Sequence, residues 1–289
     1  MAIERSELTG PVSLQKTLQA PVEFAGIGLF TGIHSQVRLV PAPQDTGIIF
    51  QRTDLFGSPE IPASLEFVSE TPRCTCLGTK PASVQMVEHL LSALSGLGID
   101  NLRIEVKGPE IPAGDGSALA YVRMIDRVGI QTLNAPKKIL RIEEPIYWSE
   151  GNIQLIALPS PEFRISYTLH YPQSPVIRSQ FYTYADRYRE EIAPCRTFSL
   201  YEEIAPFIEK GLIKGGGLDN ALVIQGDKIL NPEGARFPDE MVRHKILDLI
   251  GDLSLLGICI QGHILSVRSG HAANIAFAKL LRNQGVCCK

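Results

Sequence analysis

Met86-Val87-Glu88-His89-Leu90-Leu91-Ser92-Ala93-Leu94-Ser95-Gly96 and Met241-Val242-Arg243-His244-Lys245-Ile246-Leu247-Asp248-Leu249-Ile250-Gly251 lie 155 positions apart and share five of eleven residues without a gap. A repeat at this distance in a chain of 289 residues predicts two units of similar build. Outward from the first copy, Ser35 to Leu39 and Gly47 to Gln51 read as short strands between prolines and glycines. Val84, Val87, Leu90, Leu91, Leu94 and Leu97 recur at helical spacing, and Gly96 and Gly98 close the segment. Asn101 to Val106 alternates as a strand, and a second helix is expected near Ala118 to Val128. Around the second copy the order recurs: strands through about Tyr171, helices over Tyr201 to Lys210 and Asp239 to Leu256, then a strand from His263 to Arg268. Leu133 to Lys138 is polar and proline-broken, so it is read as the boundary between domains 1–134 and 135–289. The expected fold class is α+β, with two related units facing each other and a site in the cleft between them.

Composition narrows the function classes. Hydrophobic residues make up 44% and charged ones 20%, enough for two domains each with a core. A net charge of -3 and a pI near 6.1 provide no broad positive field, so nucleic acid is not an expected partner and any phosphate would need local cations. Met1 to Gln15 is interrupted by Glu4, Arg5, Glu7 and Pro11 and lacks the apolar core of a secretory signal. No stretch reaches the roughly 18 to 20 apolar residues of a transmembrane segment, which points to the cytoplasm. The cysteines at 74, 76, 195, 259, 287 and 288 form no CxxC pair, so disulfides are not expected. Cys74-Thr75-Cys76 reads as an alternating strand and Cys287-Cys288 as a frayed end. With no coiled coil or surplus apolar stripe, a monomer is expected.

Chemistry concentrates where histidines have acidic neighbours. His244, Asp248 and Asp252 follow at i, i+4 and i+8, which puts them on one polar stripe opposite Ile246, Leu249, Ile250 and Leu253. An imidazole and a carboxylate one turn apart can hold the same ion, although an HxxxD alone is also what a solvated helix face carries. Glu88 and His89 occupy the corresponding place in the first half. Neighbours on a helix point about 100° apart, so the two divide the labour: His89 can ligate while Glu88 stands beside the attacking water. This is the role of the glutamate in HExxH, a motif this chain lacks. Ser269-Gly270-His271 directly follows the last predicted strand, and a histidine on such a turn can face a cleft as readily as solvent. In the first case a protonated His271 would stabilise an oxyanion or protonate a leaving amine, held by a charge-assisted bond to Asp252.

Taken together, Val87-Glu88-His89-Leu90, Arg196-Thr197-Phe198, Val242-Arg243-His244-Lys245-Ile246-Leu247-Asp248, Gly251-Asp252 and Ser269-Gly270-His271 resemble the UDP-3-O-acyl-N-acetylglucosamine deacetylases of bacterial lipid A biosynthesis. Further stretches agree, among them Gly26-Ile27-Gly28-Leu29, Gly98-Ile99-Asp100-Asn101, Pro109-Glu110-Ile111-Pro112 with Asp115-Gly116-Ser117, and Asn231-Pro232-Glu233-Gly234. The resemblance implies two related two-layer α/β sandwiches and one Zn2+ per chain between them. His89, His244 and Asp248 would be its ligands, and Glu88 the base that takes a proton from water. Thr197 would help polarise the amide carbonyl. His271, paired with Asp252, would stabilise the oxyanion and protonate the amine.

The implied substrate is a nucleotide-sugar lipid precursor that loses acetate. Lys245 and Arg268 are the local cations for its diphosphate and uridine. Phe198, Leu200, Ile204, Phe207, Leu212 and Ile213 are candidates for the acyl passage, with Phe198 nearest to Thr197. One departure is Phe30, where many family members have a histidine in the GxGLH stretch. Two other classes fit the same residues: a different metal-dependent amidohydrolase, or a non-catalytic binding protein whose histidines are structural.

Overall fold

The structure is a computed structural model that describes residues 13–71 and 73–288. Glu4, Arg5, Glu7 and Pro11, on which the reading of the N-terminus rests, lie outside the described residues. Over the described residues the chain is a mixed α+β protein built on two five-stranded sheets and five α-helices. The first sheet has the spatial order Val22–Ile27, His34–Pro41, Leu102–Lys107, Ile48–Arg52, Glu60–Pro62. The second has Ile146–Glu150, Ile153–Leu158, His263–Val267, Arg164–His170, Ser179–Tyr184.

In both sheets the last strand in sequence enters the middle, antiparallel to the second strand and parallel to the third. The helices repeat as well. Helix α1 (Glu88–Gly96) precedes the central strand of the first sheet and α2 (Leu119–Val128) follows it. After α3 (Tyr201–Glu209), helix α4 (Glu240–Ser254) precedes the central strand of the second sheet and α5 (His271–Gln284) follows it. The eleven-residue repeat therefore marks equivalent places in two copies of one topology.

α1 and α4 pack directly together, and Gly251 is where they cross. A Cβ built there would lie 2.1 Å from the Glu88 carbonyl oxygen, so only glycine admits this approach. Leu90, Leu91 and Leu94 on α1 and Ile246, Leu249, Ile250 and Leu253 on α4 are buried around the crossing. Each contributes about 1.5–3 kcal/mol of apolar burial, an upper estimate against a compact unfolded chain.

Several expectations are corrected. The apolar spacing from Val84 predicts helix too early: Ala82–Val84 is a strand, and Met86 takes φ 60°, which breaks any continuous helix before Glu88. The stretch Leu133 to Lys138, read as irregular, is in part strand, because Ile130–Pro136 pairs antiparallel with Leu14–Leu18. Cys74, Thr75 and Cys76 do not alternate: all three are buried, and the strand begins only at Cys76 (Cys76–Thr79). Cys287 and Cys288 belong to the strand Val286–Cys288, which pairs with Ile139–Arg141 rather than fraying.

Candidate metal centre and active site

The stripe on α4 faces inward. His244 is 2% exposed, Asp248 3% and Asp252 0%, so a solvated helix face is excluded. His89 comes from the first turn of α1 and is also buried. Its Nε2 lies 3.6 Å from Asp248 Oδ1, and His244 Nε2 lies 3.3 Å from the same oxygen. The two imidazoles meet edge to face with centroids 5.0 Å apart.

Three ligand atoms of His89, His244 and Asp248 thus gather within 4.8 Å of one another. His244 Nδ1 lies 3.1 Å from the Cys195 carbonyl, which can only accept, so Nδ1 carries the proton. Burial lowers the pKa of His89, favouring the neutral ring. Asp248 would be raised by burial, but His244 and Lys245 hold it well below the usual carboxylate range. Two imidazoles and an ionised carboxylate, converging on a small buried space, are the donor set of a three-ligand zinc site. The Cys195 carbonyl is the kind of outer partner that orients a ligating histidine.

Glu88 stands beside this group. One carboxylate oxygen, Oε2, accepts the Thr75 N–H at 2.9 Å, while Oε1 lies 3.9 Å from His271 Nε2. Burial pushes the Glu88 carboxyl up to about 8, with the His271 charge opposing and those of Asp252 and Asp248 adding.

His271 is not on a turn; it is the first residue of α5, after Gly270. Burial disfavours its charged form, and so does a helix N-terminus. The Asp252 carboxylate, 2.8 Å from Nδ1, outweighs burial and holds the imidazolium up to about 10. Asn274, one turn along α5, donates to the same Asp252 oxygen at 2.8 Å, and Thr75 Oγ1 donates to the other at 2.6 Å.

Glu88, His89, Thr197, Phe198, Lys245, Asp248 and His271 all line one cavity of about 500 Å³. Apolar side chains carry it outward, among them Leu29, Met86, Ile204, Ile213 and Val223. Of the passage candidates, Phe198, Ile204 and Ile213 line it. Leu200 is instead core, Phe207 lies under the Arg73 guanidinium at 4.1 Å, and Leu212 is 54% exposed. Phe30 also lines the cavity, so the departure noted in the sequence puts an apolar ring in its wall.

Thr197 is placed by its backbone. Its N–H donates to the Gly116 carbonyl and its carbonyl accepts from Leu222, both at 2.8 Å. Gly116 has φ 80° and an added Cβ would meet the Asn220 carbonyl oxygen at 2.0 Å, which explains the glycine of Asp115-Gly116-Ser117. The preceding Arg196 is 1% exposed and donates to Glu240 at the start of α4 at 2.9 Å. This ion pair joins the segment that carries Thr197 to the ligand helix.

Lys245 Nζ lies 2.8 Å from Asp248 Oδ2, the oxygen turned away from the histidines, and 5.8 Å from the Phe198 ring. Arg268 is exposed, outside the cavity lining, with φ 59° just before Ser269. Sequence reasoning missed Thr75, Asn274, Cys195 and Glu240. Only Asn274 left a signal, as a polar residue at i+3 from His271 in an alanine-rich helix; the others act through backbone groups or across long sequence distances.

A sequence model of the family described as UDP-3-O-acyl N-acetylglycosamine deacetylase matches residues 15–283. The UDP-3-O-acyl-N-acetylglucosamine deacetylase of Chlamydia pneumoniae is 48% identical over 269 residues, covering 92% of this chain and 95% of the relative. That of Chlamydia felis (strain Fe/C-56) is 45% identical over 268 residues with the same coverage. That of Chlamydia trachomatis serovar D is 43% identical over 265 residues, covering 91% of this chain and 92% of the relative. With matching sequence along nearly its whole length and a buried His-His-Asp group in place, the chain belongs to the zinc-dependent UDP-3-O-acyl-N-acetylglucosamine deacetylase family.

Proposed function

We propose that this chain hydrolyses the N-acetyl group of UDP-3-O-acyl-N-acetylglucosamine, giving the free amine and acetate in lipid A biosynthesis. The observation that carries the reading is the meeting of His89, His244 and Asp248 with the Glu88 and His271 pair at one end of an apolar cavity. Zinc held by the three ligands would acidify water to a pKa of about 7 and polarise the amide carbonyl.

The chain's own residues divide the remaining work. Glu88 accepts the proton of the attacking water on Oε1, since Oε2 is engaged by Thr75. His271 presents Nε2–H to the developing oxyanion and then gives that proton to the leaving amine; its ring is held from the far side by Asp252. The Thr197 hydroxyl helps polarise the carbonyl, and its seat on the cavity wall supports this. Phe198 bounds the acyl passage. Lys245 and Arg268 are assigned to the diphosphate and uridine; Lys245 belongs to the cavity lining, whereas Arg268 is exposed outside it and is assigned by its place just before Ser269-Gly270-His271.

We further assign residues 1–134 and 135–289 as two related α+β sandwiches with the site in the cleft between them. The matching strand orders support this, as does the derivation of the ligands from both halves. One chain supplies the whole group, which supports a monomer. No described helix is long and apolar enough to cross a membrane. A nucleotide-sugar substrate supports a cytoplasmic place.

The test is acetate release from the acylated UDP-sugar by the purified chain, with chelator and with zinc restored. Zinc-dependent release is expected, and comparison with simple acetylated amines separates this reaction from that of a general amidohydrolase. Absence of release with zinc bound overturns the reading.

A further inference from the structure

Thr75 is fully buried and uses every polar group it has on the catalytic helices. Its N–H donates to Glu88 Oε2 at 2.9 Å, and its carbonyl accepts the Val87 N–H at 3.3 Å, just ahead of α1. Its hydroxyl donates to Asp252 Oδ1 at 2.6 Å, 177 positions away on α4. An ionised carboxylate only accepts, so the direction of this bond is fixed.

The two carboxylates that Thr75 touches each present their other oxygen to the same imidazole. Asp252 Oδ2 binds His271 Nδ1 at 2.8 Å, and Glu88 Oε1 lies 3.9 Å from His271 Nε2. A single residue thereby closes a ring of contacts: Thr75, Asp252, His271, Glu88 and back to Thr75. Two carboxylates and one imidazolium cannot hold that spacing by attraction alone. The imidazolium draws both carboxylates inward while they repel each other, so donors on their outer oxygens are what set their orientation.

We propose that Thr75 is a positioning residue that fixes the separation of Glu88 from the Asp252–His271 pair, its amide holding one carboxylate and its hydroxyl the other. The inference rests on the roles proposed above for Glu88, Asp252 and His271. The amide is common to any residue at this position, so the hydroxyl is the part that demands threonine or serine. Valine has the same shape without it. The neighbouring Cys74 and Cys76 thiols, 3.8 Å from each other, are weak donors and cannot replace it.

The experiment compares Thr75→Val and Thr75→Ser in the full zinc-loaded chain. Thr75→Val is expected to lower kcat by about 10- to 100-fold, the usual range for an outer-shell hydrogen bond. KM and zinc content should stay unchanged, and Thr75→Ser should recover most of kcat. Thr75→Val combined with Asp252→Ala should fall no further than Asp252→Ala alone, because the truncation already removes the acceptor of that bond.

A second readout is independent of turnover: the low-field NMR signal of the His271 Nδ1 proton. It should shift or broaden in Thr75→Val and stay in place in Thr75→Ser. If the unmodified chain releases no acetate, the proposed reaction fails and the NMR comparison alone decides the role of Thr75. Wild-type kcat in Thr75→Val overturns the proposal, as does an unmoved His271 signal. So does a Thr75→Ser variant as impaired as Thr75→Val, since that would mean packing and not the hydroxyl.

Discussion

Asp252 on α4 and His271 at the start of α5 are joined by a 2.8 Å hydrogen bond from Nδ1, and it reverses the charge preference of the place where His271 stands. A buried imidazole at a helix N-terminus should be neutral; this one is held protonated. Replacing the charge while keeping the shape tests that relationship. In Asp252→Asn the His271 pKa should drop below its raised value of about 10, moving the basic limb of kcat/KM to lower pH. The rate at neutral pH should fall by about 10- to 100-fold. NMR titration of the His271 ring measures the shift directly.

Opposite protonation states give a bell-shaped pH profile. Glu88 works as a carboxylate, and burial pushes it up to about 8, so kcat/KM rises with pH as it ionises. His271 works protonated, so kcat/KM falls as pH passes through about 10. Bound zinc favours the Glu88 carboxylate and disfavours the His271 imidazolium, so it moves the acid limb below 8 and the basic limb below 10. The groups lie 3.9 Å apart, so the two limbs belong to the pair. A wild-type profile without a basic limb contradicts the assignment of His271 as the acid.

Removing the base alone isolates its share of the rate. Glu88→Gln keeps the Thr75 contact and the size of the side chain, and should lower kcat by about 10²- to 10⁴-fold while zinc stays bound. Elemental analysis of the variant alongside the acetate assay checks both halves of the statement.

Metal removal should act on stability as well as on rate. His89, His244 and Asp248 bring three lone pairs together, so a chelator should abolish acetate release and lower Tm, and zinc should restore both. His244→Ala should lose stoichiometric zinc outright. A chelated chain with unchanged Tm would mean that the three side chains are held together by the fold without the metal's help.

The α1–α4 crossing predicts a cost in stability and activity together. Gly251→Ala forces a methyl group against the Glu88 carbonyl and should destabilise the chain by about 1–3 kcal/mol, measured by urea unfolding. Because the displaced atom belongs to the proposed base, kcat should fall with it.

The eleven-residue repeat was legible because both copies use the same helix at the same point of the same topology, and close packing preserves Gly251 and the apolar positions. Part of the candidate metal group was legible for a related reason: a metal demands particular donor atoms, and His244 and Asp248 show their i, i+4 spacing in the letters, while the set of three came with the family resemblance. Element edges were less so. Val84 to Val87 continue the helical apolar period, yet the strand Ala82–Val84 and the φ of Met86 override it, since tertiary packing outweighs local propensity.

By itself, the sequence determined that the chain is α+β with an internal repeat, and which residue types could serve a hydrolytic metal site. Only the tertiary structure decided that the α4 stripe faces inward, that His271 opens a helix, and that Thr75 lies between Glu88 and Asp252. The reason is physical. Periodicity places side chains on a face of one element, whereas burial and hydrogen bonding depend on what packs against that face. The contact between Thr75 and Asp252 spans 177 positions, and no local pattern encodes it.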